Sequence, residues 1–114
     1  MAYSDLQEYL MRLESSGKLH WVEQRVDPSW EVSAITRHNF DRYGWNERPA
    51  LGFRQVGDSK FPLVIGVIGG SPSIYALALS TSVEKIPQVW ESAQRHPIDP
   101  VAVKSGLCKE IICR

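Results

Sequence analysis

A chain of 114 residues has room for one domain, since domains most often run about 100–150 residues. Thirteen Lys and Arg balance thirteen Asp and Glu, which leaves no basic excess to neutralise phosphates and argues against nucleic acid as a partner. The hydrophobic share of 43% excludes a disordered chain. The longest apolar run, Pro62 to Ile68, is too short to cross a bilayer. No secretory signal stands at Met1-Ala2-Tyr3-Ser4-Asp5, so a cytoplasmic, membrane-free protein is expected.

Ser4-Asp5-Leu6-Gln7 has the form of a capping box, with the Ser4 hydroxyl on a first-turn amide and Gln7 reaching back. Leu6, Tyr9, Leu10 and Leu13 then fall on one helical face, and Gly17 suits the left-handed residue that closes a helix. Lys18 to Val26 alternates as a strand, with Leu19 and Trp21 on one side and His20 and Val22 on the other. Asp27-Pro28 reads as N-cap and first residue of a helix running to about Tyr43 and burying Val32, Ile35 and part of Trp30. Gly44 and Asn46 end it. Ala50 to Val56 and Phe61 to Ile68 are strands two and three, joined by a short polar turn and so an antiparallel hairpin. The third strand has no polar face and is expected to be central, with Gly66 marking a bulge or a close backbone approach. Ser71 caps and Pro72 starts the next helix, whose inner stripe is Ile74, Leu77, Ala78 and Thr81. A helix from about Val83 to Gln94 starts or kinks at Pro87. His96-Pro97 and Asp99-Pro100 break helix, and Leu107 to Cys113 reads as a final strand. The class is α+β, a small mixed sheet with helices packed on it, in the order α-β-α-β-β-α-α-β.

The residues present no catalytic constellation. Gly69-Gly70-Ser71-Pro72 is the one loop with the look of a phosphate cradle, but it lacks both the P-loop lysine and dinucleotide-fold glycine spacing. A tight turn with a cap explains it. His20, His38 and His96 are far apart, and Cys108 and Cys113 have no partner pair at zinc spacing. The two cysteines read as reduced thiols. Ser71, Ser73 and Ser80 lack a nucleophile elbow. Asp27 and Glu31 suit a helix start, and Arg37 and Arg42 a solvated helical face. Trp21, Trp30, Trp45 and Trp90 are more tryptophan than one small core buries, so some face a partner. The expected catalytic, cofactor-binding and metal residues are therefore none.

The same residues resemble a known family. Asp5-Leu6-Gln7-Glu8-Tyr9-Leu10, Gly17-Lys18-Leu19 and Val26-Asp27-Pro28 with Glu31 are similar to the opening of UbiD-type decarboxylases. There an Asp-Leu-Arg-Glu-Phe-Leu helix, a Gly-Glu-Leu turn and a Val-Asp-Pro-x-x-Glu helix stand in that order. Pro49-Ala50-Leu51, Phe61-Pro62-Leu63-Val64, the segment Gly69 to Leu79 and Cys108-Lys109-Glu110 continue the likeness. Two departures stand out: Gly66-Val67-Ile68-Gly69 where the family often has Asn-Leu-Phe-Gly, and the polar insertion Arg42 to Glu47. Both mark a divergent branch.

The resemblance implies reversible decarboxylation of aromatic or α,β-unsaturated acids, with prenylated FMN, Mn2+ and K+. The family's Glu-Arg-Glu set lies in a flavin-binding domain that follows the Cys-Lys-Glu strand. Residues 1–106 are thus expected to form the N-terminal α+β domain, and 107–114 a terminal strand leading to a flavin-binding domain absent from this chain. The expected role is structural support and one wall of the cleft. Its partner is then the flavin-binding catalytic domain or subunit, through which homo-oligomers would form. Two other readings stay open: a free-standing subunit docking on a larger catalytic protein, and a small anion-binding domain using Gly69 to Ser71.

Overall fold

The computed structural model describes residues 3–106. The expected terminal strand, with Cys108, Cys113 and the Cys108-Lys109-Glu110 motif, lies outside them. Among the described residues the order is α1 (Leu6–Ser15), β1 (Leu19–Val26), α2 (Glu31–Arg42), β2 (Ala50–Val56), β3 (Leu63–Ile65), α3 (Pro72–Ala78), a 3₁₀ turn (Val83–Lys85) and α4 (Ile86–Arg95). The α+β class and the element order hold as far as Arg95.

The sheet corrects one expectation. Its order is β1-β2-β3, so β2 is central and β3 is a short edge strand. Leu63 is exposed and Val64 and Ile65 are only half-buried. The run Phe61 to Ile68 is apolar throughout, but its pairing stops after three residues. Gly66 leaves the strand with φ +73 and brings its carbonyl to the Gly70 amide at 2.9 Å, the close backbone approach that a side chain would hinder. β1 and β2 run parallel, with Leu19 opposite Ala50 and Val22 opposite Phe53, so α2 is the crossover that parallel pairing requires. β2 and β3 form the expected antiparallel hairpin, with Phe53 opposite Leu63.

The core splits across the sheet. On one face Tyr9 and Leu13 of α1 meet Leu19, Ala50 and Ile74. On the other, Val32 of α2 packs with Val26, Leu51, Phe53 and Val56. Tyr9 also bridges α1 to the segment before and within α3, its hydroxyl donating to the Val67 carbonyl at 2.5 Å. Burial, and secondarily the neighbouring Tyr3, pushes this phenol up to about 12.

Two helix starts differ from expectation. Asp5, not Ser4, is the N-cap of α1: its carboxylate accepts from the Glu8 amide at 2.8 Å. Glu8, not Gln7, reaches back, accepting from the Ser4 amide at 2.8 Å and hydroxyl at 2.6 Å. A carboxylate three residues after the cap outcompetes an amide there because it also answers the helix dipole. In α2 the helix begins at Glu31, and Asp27 instead orders the turn before it, accepting from the Ser29 amide at 2.6 Å. Glu31 accepts from the Asp27 amide, also at 2.6 Å. Val32 is buried and Ile35 half-buried as expected, but Trp30 stays 63% exposed. Gly17 (φ +67) closes α1 and Ser71 caps α3, with Pro72 in its first turn, as the sequence predicts.

Candidate docking face

From Leu77 to Gly106 no residue is buried. That stretch includes α4, whose sequence places Ile86, Val89, Trp90 and Ala93 on one stripe. A surface helix normally buries such a stripe. Here Trp90 is 49% exposed and Ala93 is exposed, while Ile86 and Val89 are half-covered. The opposite face is solvated, with an exposed Glu91–Arg95 pair one turn apart. One polar contact ties the stripe to the body: the Trp90 indole N–H donates to the Tyr75 hydroxyl at 2.8 Å. Beyond α4, Ile98, Val101 and Val103 are 95%, 86% and 68% exposed.

Two further surfaces carry aromatic side chains. On the sheet face that α1 and α3 cover at only one end, Trp21 lies over Gly52 and receives the Arg54 guanidinium 3.8 Å above its ring. Arg54 is steadied by Glu23 at 3.5 Å. After α2, Arg48 sits against Phe40, 4.3 Å from its ring, and 5.6 Å from Trp45, and donates to the Phe40 carbonyl at 3.2 Å. Arg48 thereby closes the negative end of α2. Trp45, in the polar insertion, is 62% exposed. Three of the four tryptophans are thus exposed and one is half-buried, as the surplus predicts.

The chemistry-bearing candidates are not brought together. His20 lies on β1 edge-on to Tyr43, His38 is exposed on α2, and His96 follows α4 beside the Ser92 carbonyl. Among the described residues no three His, Cys, Asp or Glu side chains could hold a metal ion. Arg37 pairs with Asp41 on the solvated face. In the Gly69 to Pro72 turn the Gly70 amide goes to Gly66, and Ser71 takes the amides of Ile74 and Tyr75. A Cβ on Gly70 would meet the Gly66 carbonyl at 2.5 Å. Close packing therefore explains the glycine, and the Gly70, Ile74 and Tyr75 amides are already engaged within the protein. Ser73 accepts from Lys18 at 3.0 Å. The unburied α4 stripe is the feature sequence reasoning passed over, although its i, i+3, i+4, i+7 spacing was there to read.

Comparison with known proteins gives a consistent result. Residues 10–93 match the family described as the 3-octaprenyl-4-hydroxybenzoate carboxy-lyase N-terminal domain. The phenolic acid decarboxylase of Sedimentibacter hydroxybenzoicus is 31% identical over 95% of this chain and 23% of its own length. The closed form of that organism's vanillic acid decarboxylase superposes with a TM-score of 0.76 at 27% identity, over 97% of this chain and 24% of the relative. An evolved dimeric form of the UbiD-class enzyme HmfF from Pelotomaculum thermopropionicum, in complex with prFMN, gives 0.71 at 29% identity, over 85% and 21%. The chain spans about a quarter of the length of these relatives. No helix among the described residues is long and apolar enough to cross a membrane.

Proposed function

The chain belongs to the UbiD carboxy-lyase N-terminal-domain family, and from that premise we propose that it serves as the N-terminal domain of a prenylated-FMN-dependent decarboxylase, docked on a flavin-bearing catalytic part through residues 77–106. The single observation that carries this reading is that thirty consecutive residues, an amphipathic helix among them, include no fully buried residue. Amphipathic stripes of this kind are stabilised by covering them, and the covering surface must come from another body.

On this reading residues 1–106 are the docking domain and 107–114 lead toward the catalytic part. The flavin, Mn2+ and K+ belong on this reading to the partner, as the family resemblance implies. The substrate is an aromatic or α,β-unsaturated carboxylic acid, since relatives are a phenolic and a vanillic acid decarboxylase. This domain contributes one wall of the cleft. Homo-oligomers, where they form, assemble through the catalytic part, and the setting is cytoplasmic.

The test combines two arms. The purified chain, given prenylated FMN, Mn2+, K+ and vanillate, should show neither turnover nor a flavin spectral shift. Mixed or fused with a flavin-bearing UbiD-class part from the same genome, it should form a stable complex that turns over. Turnover by the chain alone, or failure to associate with any such part, refutes the reading. Whether the two are one polypeptide or two subunits is read from the coding sequence after Arg114.

A further inference from the structure

A groove of about 730 Å³ lies between α1 and the end of α3, lined by Tyr3, Met11, Leu77 and Thr81, with Glu8 and Arg12 at its charged positions. Its size falls in the range of small-molecule sites, about 300–1,000 Å³. Its walls are largely apolar: Tyr3 and Leu77 are half-buried, and Met11 is 62% exposed. The Tyr3 hydroxyl donates to the Leu77 carbonyl at 2.8 Å, fixing the two sides against each other.

The groove carries one acid and one base, and only the acid is engaged. Glu8 and Arg12 stand four residues apart on α1, the spacing at which a helix pairs opposite charges. They do not pair here. The Glu8 carboxylate turns toward the helix start and accepts from the Ser4 amide and hydroxyl. Those two bonds hold it below the usual carboxylate range. The Arg12 guanidinium is left with no counter-ion and no acceptor among the described residues. An unpaired guanidinium beside an apolar trough is complementary to one chemical class: an apolar body carrying a carboxylate, which a guanidinium binds through its fork.

We propose that this groove is a binding site for a small apolar carboxylic acid, with Arg12 as its anchor and Met11, Leu77 and Tyr3 as its walls. Leu77 and Thr81 also open the segment assigned to docking above, so the site is tested on the undocked chain. Arg12 is a binding residue here, with no part in chemistry.

The experiment titrates 3-phenylpropanoate into the full 114-residue chain and follows the Met11 methyl resonance by NMR, with 3-phenylpropanamide as the uncharged match. Saturable shifts of Met11 are expected with the acid, and at least tenfold weaker binding with the amide. Arg12→Gln should weaken the acid tenfold or more and leave the amide unchanged. Arg12 is a surface position on α1, so this variant retains the fold. Met11→Glu, at an exposed position, should weaken acid binding at least tenfold by removing an apolar wall and adding a second carboxylate beside Glu8. Equal affinity for acid and amide, no effect of Arg12→Gln, or no saturable shift into the millimolar range overturns the proposal.

Discussion

Gly52 is the residue on which the open half of the sheet depends. A Cβ built there falls 2.3, 2.4 and 2.8 Å from Cε3, Cζ3 and Cδ2 of Trp21, well inside contact distance. Gly52 is buried at the centre of β2 and pairs with Trp21 of β1 and Val64 of β3, so its backbone cannot retreat. Gly52→Ala must therefore lift the indole. Overpacking of this kind costs about 1–3 kcal/mol. Replacing glycine returns about 0.4–1 kcal/mol by restricting the unfolded chain. The expected net loss is about 1–2 kcal/mol, and the Arg54 stack on Trp21 goes with it. In Trp21→Ala the clash has no target, so adding Gly52→Ala there should be neutral or stabilising by up to about 1 kcal/mol. A double-mutant cycle by urea denaturation then gives a coupling of at least about 1 kcal/mol between the two sites. A Gly52→Ala variant as stable as the parent with Trp21 in place would refute this account of the glycine.

Other outcomes follow from the same structure. Asp5→Ala should cost about 1 kcal/mol in thermal melts, because the Glu8 amide loses its cap, and a near-neutral result would deny Asp5 that role. Tyr9→Phe should cost about 1–2 kcal/mol by orphaning the Val67 carbonyl. The Tyr9 phenol is pushed up to about 12 in the fold, so its contribution is complete below the ordinary tyrosine range. It is lost as pH rises from about 10 through about 12, where the unfolded chain deprotonates first. Alkaline melts should show that loss in the parent and a smaller one in Tyr9→Phe. Trp90→Ala should cost the isolated chain about 1–2 kcal/mol, through the lost Tyr75 hydrogen bond and the covered half of the indole, and weaken association with a flavin-bearing part at least tenfold by pull-down or calorimetry.

Local rules were legible wherever chemistry acts over a few residues. Gly17 needs a left-handed backbone, Ser71-Pro72 starts a helix, and the short link from Gly57 to Pro62 makes a hairpin. Each depends on neighbours in sequence. The errors came where distant contacts decide. Phe61 to Ile68 is uniformly apolar and reads as a central strand. Yet Gly66 breaks the pairing, and Tyr9, from the far end of the chain, takes the Val67 carbonyl. Which strand is central follows from the α2 crossover, which sets β1 beside β2 in parallel. At Ser4 and Asp5 both residues are good caps, and the choice rests on Glu8, which suits only one of the two registers. The proposed docking face was half legible: the tryptophan surplus pointed to a partner, whereas the lack of buried residues along 77–106 shows only in three dimensions.

Residues 3–76 and 77–106 stand in different physical situations. The first segment builds two small cores on opposite sides of a three-stranded sheet, with Leu13, Phe53 and Ile74 fully buried. A unit of that size is marginal, since domains below about 80 residues seldom gain more than about 3–5 kcal/mol from one core. The second segment adds ordered backbone but no buried side chain, so in isolation it contributes chain entropy without a matching hydrophobic gain. The docking proposed above would reverse that balance by covering Ile86, Val89 and Trp90. A partner that binds only the folded state stabilises it by mass action, about 2.7 kcal/mol at a hundredfold excess over Kd. The melting temperature of this chain should therefore rise with the concentration of its flavin-bearing partner, and the rise should vanish in Trp90→Ala. A rise of equal size in that variant would place the interface elsewhere, with Trp45 and the Arg48 cluster the next surface to test.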